Sequence, residues 1–251
     1  MTPAKALARL RLAIVTPRFW PLVGDSPTHL LRLAESLIAL GHLPTVVAPR
    51  WKRSWPQQMA IGTIPLIRLR GSAGGGWSTL RWMYALAGWL RDQELDGVVV
   101  AGLRHEAYVA LGAARRTQAP TILLAGEDDL TWQRTATLGS RFAARCREAR
   151  AIVAPTGELA SALASAGFTS ERLTIIPRST AIPPPQNPRS REAARTALAA
   201  ANYDLVTTAN SQVALAVGRL DASHRFGDLV RAWRIVTARR PEARLWIVGD
   251  G

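Results

Sequence analysis

Short apolar runs alternate along the chain with longer segments whose apolar residues recur every three or four positions. Arg11-Leu-Ala-Ile-Val-Thr16 has the near-continuous apolar character of a strand buried on both faces. Pro17 to Gly24 is a loop. Ser26-Pro27 then reads as an N-cap followed by a first-turn proline, and Leu30, Leu31, Ala34, Leu37 and Ile38 form one helix face that Gly41 closes. Leu43 to Ala48 and Ile64 to Leu69 are strands, separated by a basic loop. Gly71 to Gly76 is a flexible, glycine-rich loop. Trp77 to Leu90 is a helix apolar on more than one face, as expected of a helix packed between layers, with a face lying on a membrane as the other reading.

The alternation continues. Gly97 to Val100, Thr121 to Leu124, Ala151 to Ala154 and Leu173 to Ile176 read as strands. Arg104 to Arg116, Gln133 to Ala149 and Thr156 to Ala166 read as the helices between them. Ile182-Pro-Pro-Pro185 through Pro188 is stiff and extended, the best domain boundary in the chain. Beyond it lie a short helix from Ser190 to Ala200 and a polar connection to Gln212. The chain closes on a strand, a helix and a strand: Val213 to Leu220, a segment with Phe226, Leu229, Val230, Trp233 and Val236 at helical spacing, and Ala243 to Gly251. A right-handed crossover makes these last strands parallel. Both end in glycine-bearing turns at the carboxyl edge, where open α/β sheets bind ligands.

The 251 residues are enough for one large domain or two small ones, with ample core. No apolar run is long enough to span a bilayer. The basic N-terminus lacks the apolar stretch of a signal peptide, so the expectation is a cytoplasmic protein. Cys146 is the only cysteine, which leaves neither a disulfide framework nor a cysteine metal cluster. The net charge is +14, and all but two of the 32 basic residues are arginine. That field attracts nucleoside diphosphates, acidic lipid surfaces or nucleic acid without choosing among them. Nucleic-acid binding rests on charge alone, since no module signature accompanies it.

Several stretches carry candidate chemistry. Glu127, Asp128 and Asp129 follow a strand's carboxyl end, where they would position a sugar hydroxyl, bind a metal or cap the next helix. No histidine or cysteine stands beside them, which argues against a dedicated metal site. His105 lies near a helix start, as a solvated or capping residue. Arg50-Trp51-Lys52-Arg53-Ser54-Trp55 is either a solvated loop with a packed tryptophan or an interfacial anchor whose membrane contacts are Trp51, Lys52, Arg53 and Trp55. The opening strand, glycine turn, helix and strand are Rossmann-like, but no G-x-G-x-x-G is present and no lysine and serine or threonine follow the glycine-rich loop, so neither a dinucleotide fingerprint nor a P-loop is read.

The closing unit resembles the second domain of GT-B glycosyltransferases of family 4. The family's V-G-R-L strand end appears as Val217-Gly218-Arg219-Leu220, its K-G helix start as His224-Arg225, and its P-x-x-x-L-x-I-V-G-D-G run as Pro241 to Gly251. The first domain is similar too. Gly24-Asp25 stands at the family's glycine pair, Gly41-His42-Leu43-Pro44-Thr45-Val46 at G-H-x-V-x-V, and Ile176-Pro177-Arg178-Ser179-Thr180 at I-P-N-G-V. The likeness runs from about Leu12 to Gly251.

The resemblance implies an α/β, GT-B-like fold. A complete N-terminal, acceptor-side Rossmann-like domain would occupy residues 1–180, a proline-rich linker and connection 181–212, and a partial, donor-side Rossmann-like domain 213–251. It implies transfer of a hexose from a nucleotide-sugar to a hydroxyl acceptor with retention, without metal or other cofactor. Arg219, His224 and Gly24 would hold the donor diphosphate, with Gly218, Gly249 and Asp250 in the donor-side turn. Glu127, Asp128 and Asp129 would face the acceptor. The family's histidine after that strand is absent here, and its E-x7-E pair lies beyond Gly251. The expectation is weak or no activity in this chain alone, and an incomplete second domain that leaves apolar surface uncovered or takes a partner subunit. The alternative is a non-catalytic module on an anionic membrane surface, at its inner face, or on a partner subunit.

Overall fold

The computed structural model describes residues 8–249 except 23, 179–186, 209–210 and 219. The described residues fall into two compact units, Met1–Thr180 and Ala181–Gly251.

The first unit begins with β1 (Arg11–Val15), α1 (Asp25–Ala39) and β2 (Leu43–Pro49), followed by a hairpin of β3 (Gln58–Ile61) and β4 (Ile64–Leu69). It continues with α2 (Gly76–Asp92), β5 (Gly97–Ala101), α3 (His105–Thr117) and β6 (Thr121–Leu124). Two short helices, α4 (Asp129–Thr135) and α5 (Gly139–Cys146), lead to β7 (Ala151–Ala154), α6 (Gly157–Ser165) and β8 (Leu173–Ile175). The eight strands make one sheet in the order β3-β4-β2-β1-β5-β6-β7-β8. Only β3 runs antiparallel to its neighbour.

Strand periodicity sorts the core onto two faces. Ile14, Val46, Ala48 and Leu66 point to the side where Leu30 and Ala34 of α1 pack, together with Phe19. Ala13, Val15 and Val47 point to the other, against Trp82, Leu86 and Leu90 of α2, Ala107 and Ala110 of α3, and Leu163 of α6. The chain therefore winds in opposite directions from β1, and the carboxyl ends of β1 and β5 flank the point where ligands bind in open α/β sheets.

Four local expectations are corrected. The first helix starts at Asp25 with Gly24 as N-cap and no side-chain cap, so Ser26 lies inside the first turn. The segment between Ile61 and Ile64 is a two-residue hairpin turn, with Gly62 at φ +58, that adds strand β3. The helix expected over 133–149 is instead α4 and α5, because the chain folds back at Gly139 until a Cβ there would lie 1.6 Å from the Gln133 carbonyl oxygen. The glycine-rich loop at 71–76 is held, not loose. Thr79 Oγ1 accepts from the Gly75 N–H at 2.8 Å and donates to the Ser72 carbonyl, while the Ser72 and Ser78 hydroxyls are 2.8 Å apart.

The second unit holds α7 (Pro188–Ala201), β9 (Val213–Val217), α8 (Phe226–Arg239) and β10 (Arg244–Val248). β9 and β10 pair in parallel, Val213 opposite Arg244 through Val217 opposite Val248. Leu215 is 61% and Val217 68% exposed, so the apolar surface expected of a two-stranded sheet is present.

Candidate functional site

The loops after β1, β5, β6, β7 and β8 surround a cleft of about 680 Å³ in the first unit. Its walls carry Arg18, Arg104 and Arg178, the carboxylates of Asp25, Glu127 and Asp128, and His29 and His105. The volume suits a sugar or small glycoside.

One buried carboxylate organises the floor. Asp129 is 3% exposed. Its Oδ2 accepts from the Leu103 N–H at 3.0 Å and the Gly126 N–H at 2.8 Å, and its Oδ1 from Arg104 Nε at 2.8 Å. Gln133 Nε2 donates to the Leu103 carbonyl at 2.7 Å from below. Asp129 thus ties the loop after β5 to the loop after β6, and its side chain is occupied by protein donors. Of the three acids singled out in the sequence, Glu127 and Asp128 are exposed and line the cleft.

Two histidines face the same space. His29 projects from the first turns of α1, and its Nδ1 is buried without a hydrogen-bond partner among the described residues. Burial, then the Arg178 and Arg32 guanidinium groups, push its pKa below the ordinary value. His105 is held edge-on by Trp132 at 4.9 Å and Phe142 at 5.2 Å between ring centroids, and burial followed by Arg104 lowers its pKa too. Both are neutral at pH 7. Glu106, next to His105, is 1% exposed, and its Oε2 has no partner within hydrogen-bond geometry. Burial pushes it up to about 7, against the weaker opposing influence of its own backbone and the Trp82 indole.

Sequence reasoning passed over His29, Arg178 as a ligand group, and Glu106. The signal for His29 was its place one turn into the helix that follows the first strand. For Glu106 it was an acid at a helix start whose next apolar neighbours are all buried. Cys146 packs in the core, where burial, with Asp129, pushes the thiol up to about 12, so it is a structural residue.

Gly24 caps α1 at φ +155 without lining the cleft itself. In the second unit, Gly218 ends β9, and a Cβ there would lie 3.1 Å from the His224 ring. A Cβ on Gly249 would fall 1.8 Å from the Gly218 carbonyl oxygen, so the two strand ends approach as only glycine allows. His224 Nδ1 is bonded to Asp221 Oδ1 at 2.9 Å. Arg219, Asp250 and Ser179 lie outside the described residues, as does the proline-rich stretch at 182–185.

The basic loop is a folded turn. Arg50 Nε donates to the Trp55 carbonyl at 2.7 Å, and Arg50 Nη2 to the Arg53 carbonyl. Trp51 Nε1 donates to the Pro17 carbonyl at 3.0 Å. Trp55 lies beneath the buried Arg68, 5.3 Å from ring centroid to guanidinium carbon, while Lys52 and Arg53 are exposed. Among the described residues no helix is long and apolar enough to cross a membrane.

Residues 26–182 match the sequence family described as Glycosyltransferase Family 4. No curated protein matches the chain. Among solved structures, the catalytic domain of starch synthase IV from Arabidopsis thaliana, bound to ADP and acarbose, superposes with a TM-score of 0.68 at 12% identity over 96% of this chain and 69% of that one. Anabaena HepE in complex with UDP and glucose gives 0.71 at 15% identity, over 97% of this chain and 62% of that one. Sucrose-phosphate synthase from Thermosynechococcus elongatus gives 0.70 at 14%, over 96% and 62%. At such identities the likeness is one of fold, a GT-B-like arrangement of an N-terminal Rossmann-like domain and part of a second. The chain spans 62% of the length of two of these structures and 69% of the third.

Proposed function

Since the chain belongs to glycosyltransferase family 4, we propose that it transfers a hexose from a nucleotide-sugar to a hydroxyl acceptor with retention of configuration. The observation that carries this reading is the cleft at the carboxyl ends of β1, β5 and β6, lined by the His29 imidazole, whose pKa burial lowers, and by two exposed carboxylates. Such a set accepts hydrogen bonds from sugar hydroxyls, as an acceptor subsite requires. Anabaena HepE is described with UDP-glucose, and the Escherichia coli trehalose-6-phosphate protein with UDP-2-fluoro glucose, which supports a nucleotide-sugar donor.

In this reading the first unit binds the acceptor and the turn after β9 binds the donor diphosphate. Arg219 supplies one fixed positive charge, and His224 stands at the position of the family's second cation. Charge on the departing diphosphate grows as the glycosidic bond breaks, so cations already in place stabilise the transition state more than the ground state. Gly218 and Gly249 keep Cβ atoms out of the turn the phosphates approach, and the backbone N–H groups entering α8 add their dipole. His29 receives a hydrogen bond from the acceptor hydroxyl and orients it.

The test is the release of nucleoside diphosphate from nucleotide-sugars in the presence of a hydroxyl acceptor. His29→Ala is expected to lower turnover at least tenfold while leaving donor binding unchanged. The rate should rise with pH as His29 loses its proton, with a midpoint below pH 6.5 because burial, Arg178 and Arg32 lower its pKa from that value. A His29→Ala protein with unaltered turnover and pH profile removes that residue from the reaction.

A further inference from the structure

Trp51 also lines a second concavity, of about 590 Å³. Arg50, Arg53, Arg70 and Arg81 line it, with Ser72, Ser78 and Trp77. None of these four arginines is ion-paired with a carboxylate among the described residues. Four arginines without a carboxylate partner lining one concavity make it attractive to an anion.

The basin is also pre-formed. Gly71, at φ +104, lets the chain after β4 press against α2, since a Cβ there would lie 2.4 Å from both the Ser78 carbonyl oxygen and the Trp82 nitrogen. The hydrogen bonds among Ser72, Gly75, Ser78 and Thr79 hold the loop in place. The first turn of the 17-residue helix α2 opens here with no acidic residue and no side-chain cap, which adds a positive dipole end to the arginines.

A third feature identifies the source of the anion. Trp77, Leu80, Arg81 and Tyr84 fall at i, i+3, i+4 and i+7 on α2, and so share one exposed face. Trp77 and Tyr84 are each 83% exposed, and Leu80 is exposed beside them. A soluble phosphate needs the arginines but not this stripe. A lipid headgroup layer uses both, with phosphates in the basin and amphipathic rings at the depth of the glycerol backbone. We infer that this basin and the adjoining α2 face dock the protein on an anionic phospholipid surface, with headgroup phosphates held by Arg53, Arg70 and Arg81, while Arg50, tied to the loop carbonyls, adds its charge. The inference does not depend on the transfer reaction, because none of the four arginines lines the cleft.

Sedimentation of the full chain with phosphatidylcholine vesicles, with and without phosphatidylglycerol, tests it. Binding is expected only to the anionic vesicles. Each basic side chain at such a surface is worth roughly fivefold in affinity, so Arg70→Ala/Arg81→Ala should weaken binding roughly thirtyfold. Arg91→Ala/Arg116→Ala removes the same charge from another surface and should change it by less than about threefold. Trp77→Ser should weaken binding and leave the remainder more salt-sensitive. Equal losses in the two arginine pairs would assign the binding to diffuse positive charge and overturn the site. So would absence of vesicle binding, or equally strong binding to random duplex DNA that also requires Arg70 and Arg81. Inorganic pyrophosphate binding that needs Arg70 and Arg81, in a protein that ignores vesicles, would replace the lipid surface by a soluble phosphate.

Discussion

Asp129→Ala is expected to destabilise the protein by about 4 kcal/mol, the largest effect of any single side-chain truncation around the cleft. The carboxylate is 3% exposed and accepts three hydrogen bonds, from the Leu103 and Gly126 N–H groups and from Arg104 Nε. Truncation leaves the two backbone donors without their acceptor. It also leaves the Arg104 guanidinium without its partner. Each stranded donor costs on the order of 1–3 kcal/mol. Arg104→Ala should cost only about 1 kcal/mol, because that side chain is 36% exposed and its loss leaves the two backbone donors satisfied. Urea denaturation gives both numbers. A shift under about 1 kcal/mol for Asp129→Ala would mean that the loops after β5 and β6 are held by something other than this residue.

Glu106→Gln is expected to stabilise the protein increasingly as pH rises from about 4.5 to about 7, and by a constant amount above that. Burial raises the carboxyl from 4.5 in the unfolded chain to about 7 in the folded one. Between those values the folded protein holds a proton that the unfolded chain has released. The favourable contribution is therefore complete below pH 4.5 and disappears as pH rises through 7. The wild-type protein should lose about 3 kcal/mol from this group over that interval, and the glutamine variant should not. At pH 8 the variant is then about 3 kcal/mol the more stable, and near pH 4.5 the two are alike. Thermal denaturation of the pair across that range is the measurement. A difference that does not change with pH would show that Glu106 carries the same charge in both states.

The strand and helix order was legible in the chain because the parallel strands are buried on both faces and read as unbroken apolar runs. Thr121–Leu124 and Ala151–Ala154 fall where their apolar runs place them. The β3–β4 hairpin was missed although its signal is present. Gly62-Thr63 separates Met59 and Ile61 from Ile64 and Leu66 in strand alternation, but the basic loop before it masked the short edge strand. The break between α4 and α5 has a weaker signal, because Leu138, Phe142 and Cys146, whose spacing suggested one helix, all lie at or after the start of α5. What breaks the helix is the close approach of Gly139 to Gln133, a tertiary contact no local window contains.

The site was legible only in part. Three consecutive acids mark a strand's carboxyl end, but adjacent residues point in different directions. Which of them turns inward depends on the loop after β5, distant in sequence. The lowered pKa of His29 likewise depends on burial and on Arg178 and Arg32 around it, and Arg178 lies far along the chain. The basic loop at 50–55 was legible as chemistry but not as geometry. Its Trp55 is tied under Arg68, while Arg50 and Arg53 join Arg70 and Arg81 from another strand and helix.

Isothermal calorimetry of the purified chain with UDP, GDP, ADP and their hexose conjugates tests the transferase reading most directly. The account predicts saturable binding of one nucleoside diphosphate and its sugar conjugate, abolished by Arg219→Ala and weakened roughly tenfold by His224→Ala. Binding of none of them, or binding that Arg219→Ala leaves intact, would contradict it.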